Sequence, residues 1–432
     1  MKLKKYKLGE LIEVTRGASL SGEYYATQGE YIRLTCGNFD YHNNCFKENK
    51  SKDNIYYVGK FRDEFLMEEG DIITPLTEQA VGLLGSTALI PESGKYIQSQ
   101  DVAKITCNEK LLDKKFAFYL ISSSLVKQQL SAAAQQTKIR HTSPDKIKDC
   151  VVWIPEMSEQ RLIGTLLSTI DQKISLNRQV NHYLEAMVKQ LYDYWFVQFD
   201  FPDENGKPYK SFGGKMVWND KLKREIPEGW SDGCFSDIAN ITMGQSPDGS
   251  SYNEEGNGVI FYQGSTDFGI RFPSVRMYTT APTRFAKRGD ILMSVRAPVG
   301  AVNIANADCC IGRGLSAINA KIGTITYIYF VIHYLKVRFD NLNSAGTTFG
   351  SITKDELHGL PVVVPSDDVL KLFESASKPI FDMQMNIGQE IEGLTLQRDK
   401  LLPLLMNGQV SVTQLNNDLP PTFIIIRKTS QI

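Results

Sequence analysis

Apolar residues follow two rhythms along this chain. In residues 1–155 they come in short runs, at 11–15, 31–35, 71–75, 86–90 and 102–106, set apart by clusters of Gly, Asn and Asp. Runs of that length between turn formers predict strands of a sheet joined by irregular loops. Residues 227–365 repeat the pattern, with runs at 238–242 and 291–295 in corresponding places. Residues 156–197 and 366–410 read differently. Ile163, Ile170, Leu184 and Leu191 fall on one seven-residue series, and Leu167, Ile174, Val188 and Trp195 on an interleaved one. In the later stretch Phe373, Ile380, Ile387, Leu394 and Leu401 recur at sevens, with Ile391 and Leu405 interleaved. Three-and-four spacing on a single face predicts two long helices with a coiled-coil seam. At about 1.5 Å per residue, a helix of about 40 residues would span roughly 60 Å. Asn177 and Asn181 fall on the first seam, Gln384 and Arg398 on the second. Polar groups there are expected to pin register at some cost in stability.

Both rhythms belong to one repeat. Gly70-Asp71-Ile72-Ile73 returns as Gly289-Asp290-Ile291-Leu292, and Val81-Gly82 as Val299-Gly300. Ser143-Pro144-Asp145-Lys146-Ile147 returns as Thr353-Lys354-Asp355-Glu356-Leu357. A period of roughly 210–220 residues is too long for a solenoid and describes a duplicated domain followed by a helix. Each copy holds one shorter helix. Asp113 caps the first, whose apolar face is Phe116, Tyr119, Leu120 and Leu125; the second carries Tyr327, Tyr329, Phe330 and Tyr334. Each copy closes on a buried strand stopped by proline, at 151–155 and 360–365. Pro202, Asn205-Gly206, Pro208 and Gly213-Gly214 make residues 198–226 a turn-rich connector without regular structure. Its length lets the helices of one chain meet, and antiparallel packing would place the two domains at opposite ends. The tail, 411–432, is expected to be poorly ordered or to dock as an edge strand through 423–426. The fold class is α+β: two similar α/β domains joined by two long helices in an antiparallel coiled coil.

Composition narrows the function. The chain has 432 residues and a net charge of −1, so it does not hold nucleic acid by bulk charge alone. Lys2, Lys4, Lys5 and Lys7 read as a solvated basic start. Seven cysteines form no C-x-x-C pair, and no histidine stands at ligand spacing. No apolar run is long enough to span a bilayer and no secretory signal opens the chain, which points to the cytoplasm. No P-loop, Rossmann fingerprint, His-Glu-x-x-His or Gly-x-Ser-x-Gly occurs, so no cofactor, metal or catalytic set is expected. Gly312-Arg313-Gly314 is too short to count as a dinucleotide motif. Asp71 and Asp290 read as turn aspartates at strand starts.

Binding chemistry is better represented. Bases are read by forked donors and amides on loops, and phosphates are held by Lys, Arg, Ser, Thr and backbone N–H groups. The first copy offers Arg16, Thr77, Gln79, Gln100, Gln136, Lys138 and Arg140; the second offers Gln245, Ser246, Arg276, Arg284, Arg296, Arg313, Thr347 and Ser351. Aligning the copies sets Glu78 against Arg296 (296 − 78 = 218, as for Gly82 and Gly300) and Gln100 against Arg313 (313 − 100 = 213, as for Ile105 and Ile318). Glycines, prolines and strand positions are shared, whereas loop polar residues differ. One scaffold used twice to read two different sequences would look like this.

Several longer motifs stand out: the stretch from Gly289-Asp290-Ile291-Leu292 through Arg296-Ala297-Pro298-Val299-Gly300, then Ile311-Gly312-Arg313-Gly314-Leu315 and Gly346-Thr347-Thr348-Phe349-Gly350. Ser158-Glu159-Gln160-Arg161, Leu191-Tyr192-Asp193-Tyr194-Trp195-Phe196 and Leu401-Leu402-Pro403-Leu404-Leu405 join them. On these residues the chain resembles the specificity subunits of type I restriction–modification enzymes. The first copy lacks the Arg-Ala-Pro run, and the second long helix starts at Ser366-Asp367-Asp368 rather than Ser-Glu-Gln-Arg. The resemblance implies that each domain is a target recognition domain for one half of a split, asymmetric site in double-stranded DNA. It implies that the helices set the gap and dock two modification (methyltransferase) subunits that bind S-adenosylmethionine. Restriction subunits would add ATP- and Mg-dependent translocation and cleavage, and this chain itself would be non-catalytic. The competing readings are a coiled-coil adaptor that binds only proteins, and a fused enzyme of unknown type.

Overall fold

The computed structural model describes residues 2–50, 53–78, 82–133, 140–321, 325–344 and 350–413. The expected tail strand and the segment 134–139, with Gln136 and Lys138, lie outside these residues. The chain forms two compact units, one of residues 1–175 with 393–432 and one of residues 176–392. Each long helix, Met157–Tyr192 and Asp367–Met406, therefore contributes to both.

In the first unit an antiparallel sheet runs in the order Ala88–Leu89, Ile72–Pro75, Val102–Cys107, Ile12–Arg16. Ile105 lies between Ile72 and Val14, all three buried. A second sheet pairs Tyr96–Ile97 in parallel with Tyr31–Arg33 and then adds Tyr56–Tyr57 and Tyr25–Ala26. The lysine-rich start is a strand, Lys4–Lys7, antiparallel to Val151–Ile154. Its lysine side chains are solvated as expected, while its backbone closes a ribbon. That ribbon has two strands and one open face, so the strand expected to be buried leaves Trp153 40% exposed, with the Lys5 ammonium 5.8 Å from its ring.

Asp113 caps the helix Lys114–Ile121, accepting from the Phe116 N–H at 3.0 Å. This helix is shorter than its apolar spacing suggests. Ser122 Oγ bonds back to the Phe118 carbonyl at 3.1 Å, and a separate helix, Ser124–Ala133, carries Leu125. Serine hydroxyls compete for backbone acceptors and so interrupt helices.

The second unit repeats the plan. Its antiparallel sheet runs Val302–Ile304, Ile291–Ser294, Leu315–Ala320, Ala239–Met243, with Ile318 between Ile291 and Ile241. The second sheet again has a parallel pair, Val259–Tyr262 with Cys309–Ile311, and the closing ribbon is Ser231–Cys234 with Pro361–Val364. The connector departs from expectation. It contains an antiparallel hairpin, Met216–Asn219 with Arg224–Pro227. Asn219 Oδ1 closes the hairpin by accepting from the Lys221 and Leu222 N–H groups. Sequence breakers here shape turns rather than prevent strands. Phe201 stacks between Tyr209 and Trp230 at 4.7 and 4.9 Å, which ties the connector to the unit's core.

The seam follows the sevens in part, since Leu184, Leu191, Ile380 and Ile387 of the expected series are only half-buried. Ile163, Leu167, Ile170, Ile174 and Val188 are buried, as are Phe373, Leu394, Leu401 and Leu405. In the second unit Asn177 donates to Glu390 at 2.8 Å, Gln384 donates to the Asn181 carbonyl at 3.3 Å, and Trp195 packs on Phe373. Rising numbers on one helix meet falling numbers on the other, so the pairing is antiparallel. In the first unit Arg398 bonds Asp171 at 3.0 Å, and Asp171 also accepts the Tyr119 hydroxyl at 2.6 Å. Tyr329, which corresponds to Tyr119 in the repeat, instead donates to Glu185 at 3.2 Å.

Candidate nucleic-acid interface

The same structural device builds the candidate edge in both units. The strand Ile12–Arg16 ends at Gly17, and the strand Ala239–Met243 ends at Gly244. A Cβ on Gly17 would lie 2.3 Å from the Gln98 carbonyl oxygen, and one on Gly244 would lie 2.2 Å from that of Gly312. Immediately after each glycine the chain bonds across: Ala18 N–H to the Gln98 carbonyl at 2.9 Å, and Gln245 N–H to the Ile311 carbonyl at 3.0 Å. The contact brings the segment after the first strand onto the segment that carries Gln100 in one unit and Arg313 in the other.

In the second unit three strand ends converge. Gln263 follows the strand Val259–Tyr262, Arg313 follows Cys309–Ile311, and Arg296 follows Ile291–Ser294 by two residues. Gly312 N–H donates to the Tyr262 carbonyl at 2.8 Å, and Val295 N–H to the Gly314 carbonyl at 2.9 Å. A Cβ at Gly314 would come within 2.6 Å of the Gln263 carbonyl oxygen. The glycines of Gly312-Arg313-Gly314 thus serve close backbone approach. The result is a polar pocket of about 220 Å³ that holds both Arg296 and Arg313, with Gln263, Ser265 and Thr266. Among the described residues no carboxylate lines it, and both arginines and Gln263 are exposed. Ser246 Oγ accepts from the Arg313 N–H at 3.3 Å, and Gln245 is held at the same edge by Thr283, which donates to its carbonyl. Ser351 forms a β-bridge with Arg296.

Arg276 is set differently: its Nε donates to Asp267 at 3.0 Å, which neutralises it beside Thr266. Gln263, Ser265 and Thr266 were absent from the sequence candidates. Their only local signal is a Gln-Gly-Ser-Thr turn after a strand, and such turns are common.

In the first unit Arg16 Nε donates to the Gln100 carbonyl at 2.8 Å, bringing those two candidates together. Arg140 pairs with Glu78 at 3.6 Å, across a two-residue ribbon whose Thr77–His141 pair occupies the place of the Arg296–Ser351 bridge. The backbone bonds of Leu76 to Asp101 and Thr142 match those of Val295 to Gly314 and Ile352, so the counterpart of Arg296 is Thr77 and not Glu78, against the sequence alignment. Glu78 is not a free loop group: its side chain is 7% exposed and accepts from the Gly82 N–H at 2.9 Å. Thr77 is enclosed, its hydroxyl 3.3 Å from His141 Nδ1 and 3.4 Å from Asp101, which gives it a scaffold role. Gln79, Lys138 and Thr347 lie outside the described residues.

The repeated aspartates are turn groups. Asp71 accepts from the Glu68 N–H at 3.0 Å and Asp290 from the Lys287 N–H at 2.8 Å. Burial raises the Asp290 carboxyl above the ordinary carboxylate range, against the lowering effect of its bond from Lys287. Burial also lifts the Cys309 thiol to about 12, leaving it a small apolar core residue. Among the described residues no group of three His, Cys, Asp or Glu is placed to hold a metal ion, and no helix is long and apolar enough to cross a membrane.

Two copies of one strand-end device, each tied to a shared helix pair, characterise a repeated recognition module. The sequence pattern of the type I restriction modification DNA specificity domain matches residues 2–186 and again 227–392. The chain belongs to this family. It is 30% identical over 320 residues to a Methanocaldococcus jannaschii protein described as the MjaX specificity subunit of a type I restriction enzyme, covering 71% of this chain and 70% of that one. It is 22% identical over 381 residues to the HindI specificity subunit of Haemophilus influenzae, covering 73% of this chain and 81% of that one. The crystal structure of a type I restriction-modification S subunit from M. genitalium superposes with a TM-score of 0.58, covering 94% of this chain and 96% of that one at 17% identity, and so shares the fold. The two matched segments of this specificity-family chain coincide with the two repeats.

Proposed function

We propose that this chain is the DNA sequence-recognition subunit of a type I restriction–modification complex, and that it is not itself an enzyme. Each repeat reads one half of a bipartite, asymmetric site in double-stranded DNA, and the antiparallel helix pair sets the gap between the halves. The observation that carries this reading is the pair of unneutralised arginines, Arg296 and Arg313, held in a carboxylate-free pocket at the strand ends of one repeat. The corresponding positions of the other repeat carry Thr77 and Gln100. The DNA-facing set comprises Arg16, Gln100 and Arg140 in the first repeat, and Gln245, Ser246, Arg276, Arg296, Arg313 and Ser351 in the second. Gln79, Lys138 and Thr347 belong to the same proposal on sequence grounds alone.

The helices also offer a surface for partners. Leu176, Tyr183, Met187 and Tyr194 are 56%, 65%, 56% and 37% exposed. At about 100° per residue their spacings of seven, four and seven keep them within one narrow stripe, apart from the seam. An exposed apolar stripe of this kind fits docking of modification subunits, which would supply S-adenosylmethionine and the methyl transfer. Restriction subunits with ATP and Mg complete the proposed assembly in the cytoplasm.

Methylome sequencing of a host with and without this gene tests the function. Loss of one split methylated motif on deletion is expected. If no such motif disappears, the DNA-reading assignment fails and the protein-only adaptor stands.

A further inference from the structure

The pocket at the strand ends of the second unit identifies its ligand more closely than the proposed function does. Its polar side chains are two guanidiniums, one amide and the hydroxyls of Ser265, Thr266 and Ser294, on backbones locked together by the Gly312–Tyr262 and Gly314–Val295 bonds. Ser294 Oγ donates to the Arg296 carbonyl at 2.7 Å, which fixes the backbone at that arginine as well. Among the described residues no carboxylate lines the pocket, so the guanidinium forks keep donors for a ligand that accepts. Two DNA groups accept in this way: phosphate oxygens, and the O6/N7 edge of guanine.

Two observations favour the base. Phosphate contacts carry no sequence information, so a duplicated reader has no reason to vary them between copies. Here both positions vary: Thr77 stands at the place of Arg296 and Gln100 at that of Arg313. Gln263 contributes both a donor and an acceptor, and a phosphate has no donor to satisfy the second. The amide of Gln matches the N6/N7 edge of adenine as the Arg fork matches guanine. We infer that this pocket is a base-reading site for guanine next to adenine, with Arg296 and Arg313 reading guanine and Gln263 acting as a further specificity-determining residue on adenine. This inference rests on the DNA-reading assignment above.

The test uses the full chain assembled with its modification subunits. The wild-type motif is read from the methylome. The purified complex is then titrated with duplexes in which each half-site base pair is changed in turn, using wild type, Gln263→Ala, Arg313→Ala, Arg313→Lys and Arg296→Ala. The expected result is a loss of discrimination of roughly tenfold or more at one guanine for each arginine variant, and at one adenine for Gln263→Ala. All affected positions fall in one half-site, with the other half-site and the gap unchanged. Arg313→Lys should relax discrimination as Arg313→Ala does, because lysine keeps the charge and loses the fork. Uniform weakening across all bases with a shallower salt dependence, or a lysine variant equal to wild type, would make the site a phosphate contact and overturn the inference. Relaxation at bases other than guanine and adenine would overturn it equally. Absence of any split motif in the wild type would instead sink the DNA-reading assignment itself.

Discussion

Gly17 and Gly244 show how much a single missing Cβ decides. Each occupies a space where any side chain would collide with a backbone carbonyl at 2.2–2.3 Å, and backbone cannot yield as a flexible side chain would. Gly17→Ala should therefore weaken reading of the first half-site alone and Gly244→Ala the second alone. Binding to duplexes with one half-site scrambled checks this, and equal damage at both halves would contradict modular reading. Both glycines end matching strands, but the carbonyls they face come from Gln98 and Gly312, far along the chain. Arg398 tells a similar story. Its place on the seam was legible from the sevens, but its partner was not. Its side chain is 9% exposed and bonds Asp171, which is 27% exposed and also held by Tyr119. Truncating one member of a largely buried pair strands the other, so Arg398→Ala should cost about 2–3 kcal/mol, less than for a fully buried pair. Replacing Arg398 and Asp171 together by Met and Leu should cost less than Arg398→Ala alone, and thermal melting of the three variants decides.

At the scale of elements, the helices follow from local rules and their attachments do not. Heptad spacing specifies a seam wherever it occurs. What joins the second repeat to that seam is the segment after Phe268. Phe272 fills a notch left by Gly388, where a Cβ would sit 2.6 Å from the ring, and the buried Arg271 lies over Tyr329 and Phe381 at 5.2 and 4.7 Å. His333 is part of this junction, 3.9 Å from Glu185. Burial depresses its pKa, Glu185 opposes this, and Lys336, Arg271 and Lys189 reinforce it. With the folded pKa below the unfolded value, His333 supports folding above the unfolded pKa, and that support is lost as pH falls through the folded pKa. Between about pH 7.5 and about pH 5.5 the melting temperature of wild type should therefore fall further than that of His333→Gln. Equal falls would remove His333 from the account. The apolar stripe gives a second element-scale prediction. Tyr183→Glu with Met187→Glu should leave folding intact, because both side chains are more than half exposed, and should weaken assembly with the modification subunit at least tenfold. Co-purification and titration of the two proteins would report it. In the connector, Pro, Gly and Asn residues predict an absence of regular structure, whereas Asn219 and its neighbours form the turn of a hairpin.

For the whole molecule, the decisive feature is that the chain crosses between its two compact units within each long helix. Each unit is one repeat completed by a portion of both helices. Under the proposed function, removing one heptad from each helix at facing positions should change the tolerated gap and leave both half-site sequences unaltered. Methylome sequencing of that variant reads all three at once, and an unchanged gap would show that the helices are not the spacer. The sequence by itself determined the duplication, the strand runs, the seam and the turn roles of Asp71 and Asp290. These depend on spacing within a few residues or on comparing one copy with the other. Only the tertiary structure decided which polar residues are available to a ligand. Thr77 and Glu78 were lost to scaffold bonds, while among the described residues no carboxylate pairs with Arg296 or Arg313, and Gln263 was brought beside them. The reason is physical. A polar side chain is spent or spared by the groups that reach it from distant parts of the chain, and periodicity along the sequence carries no record of those encounters.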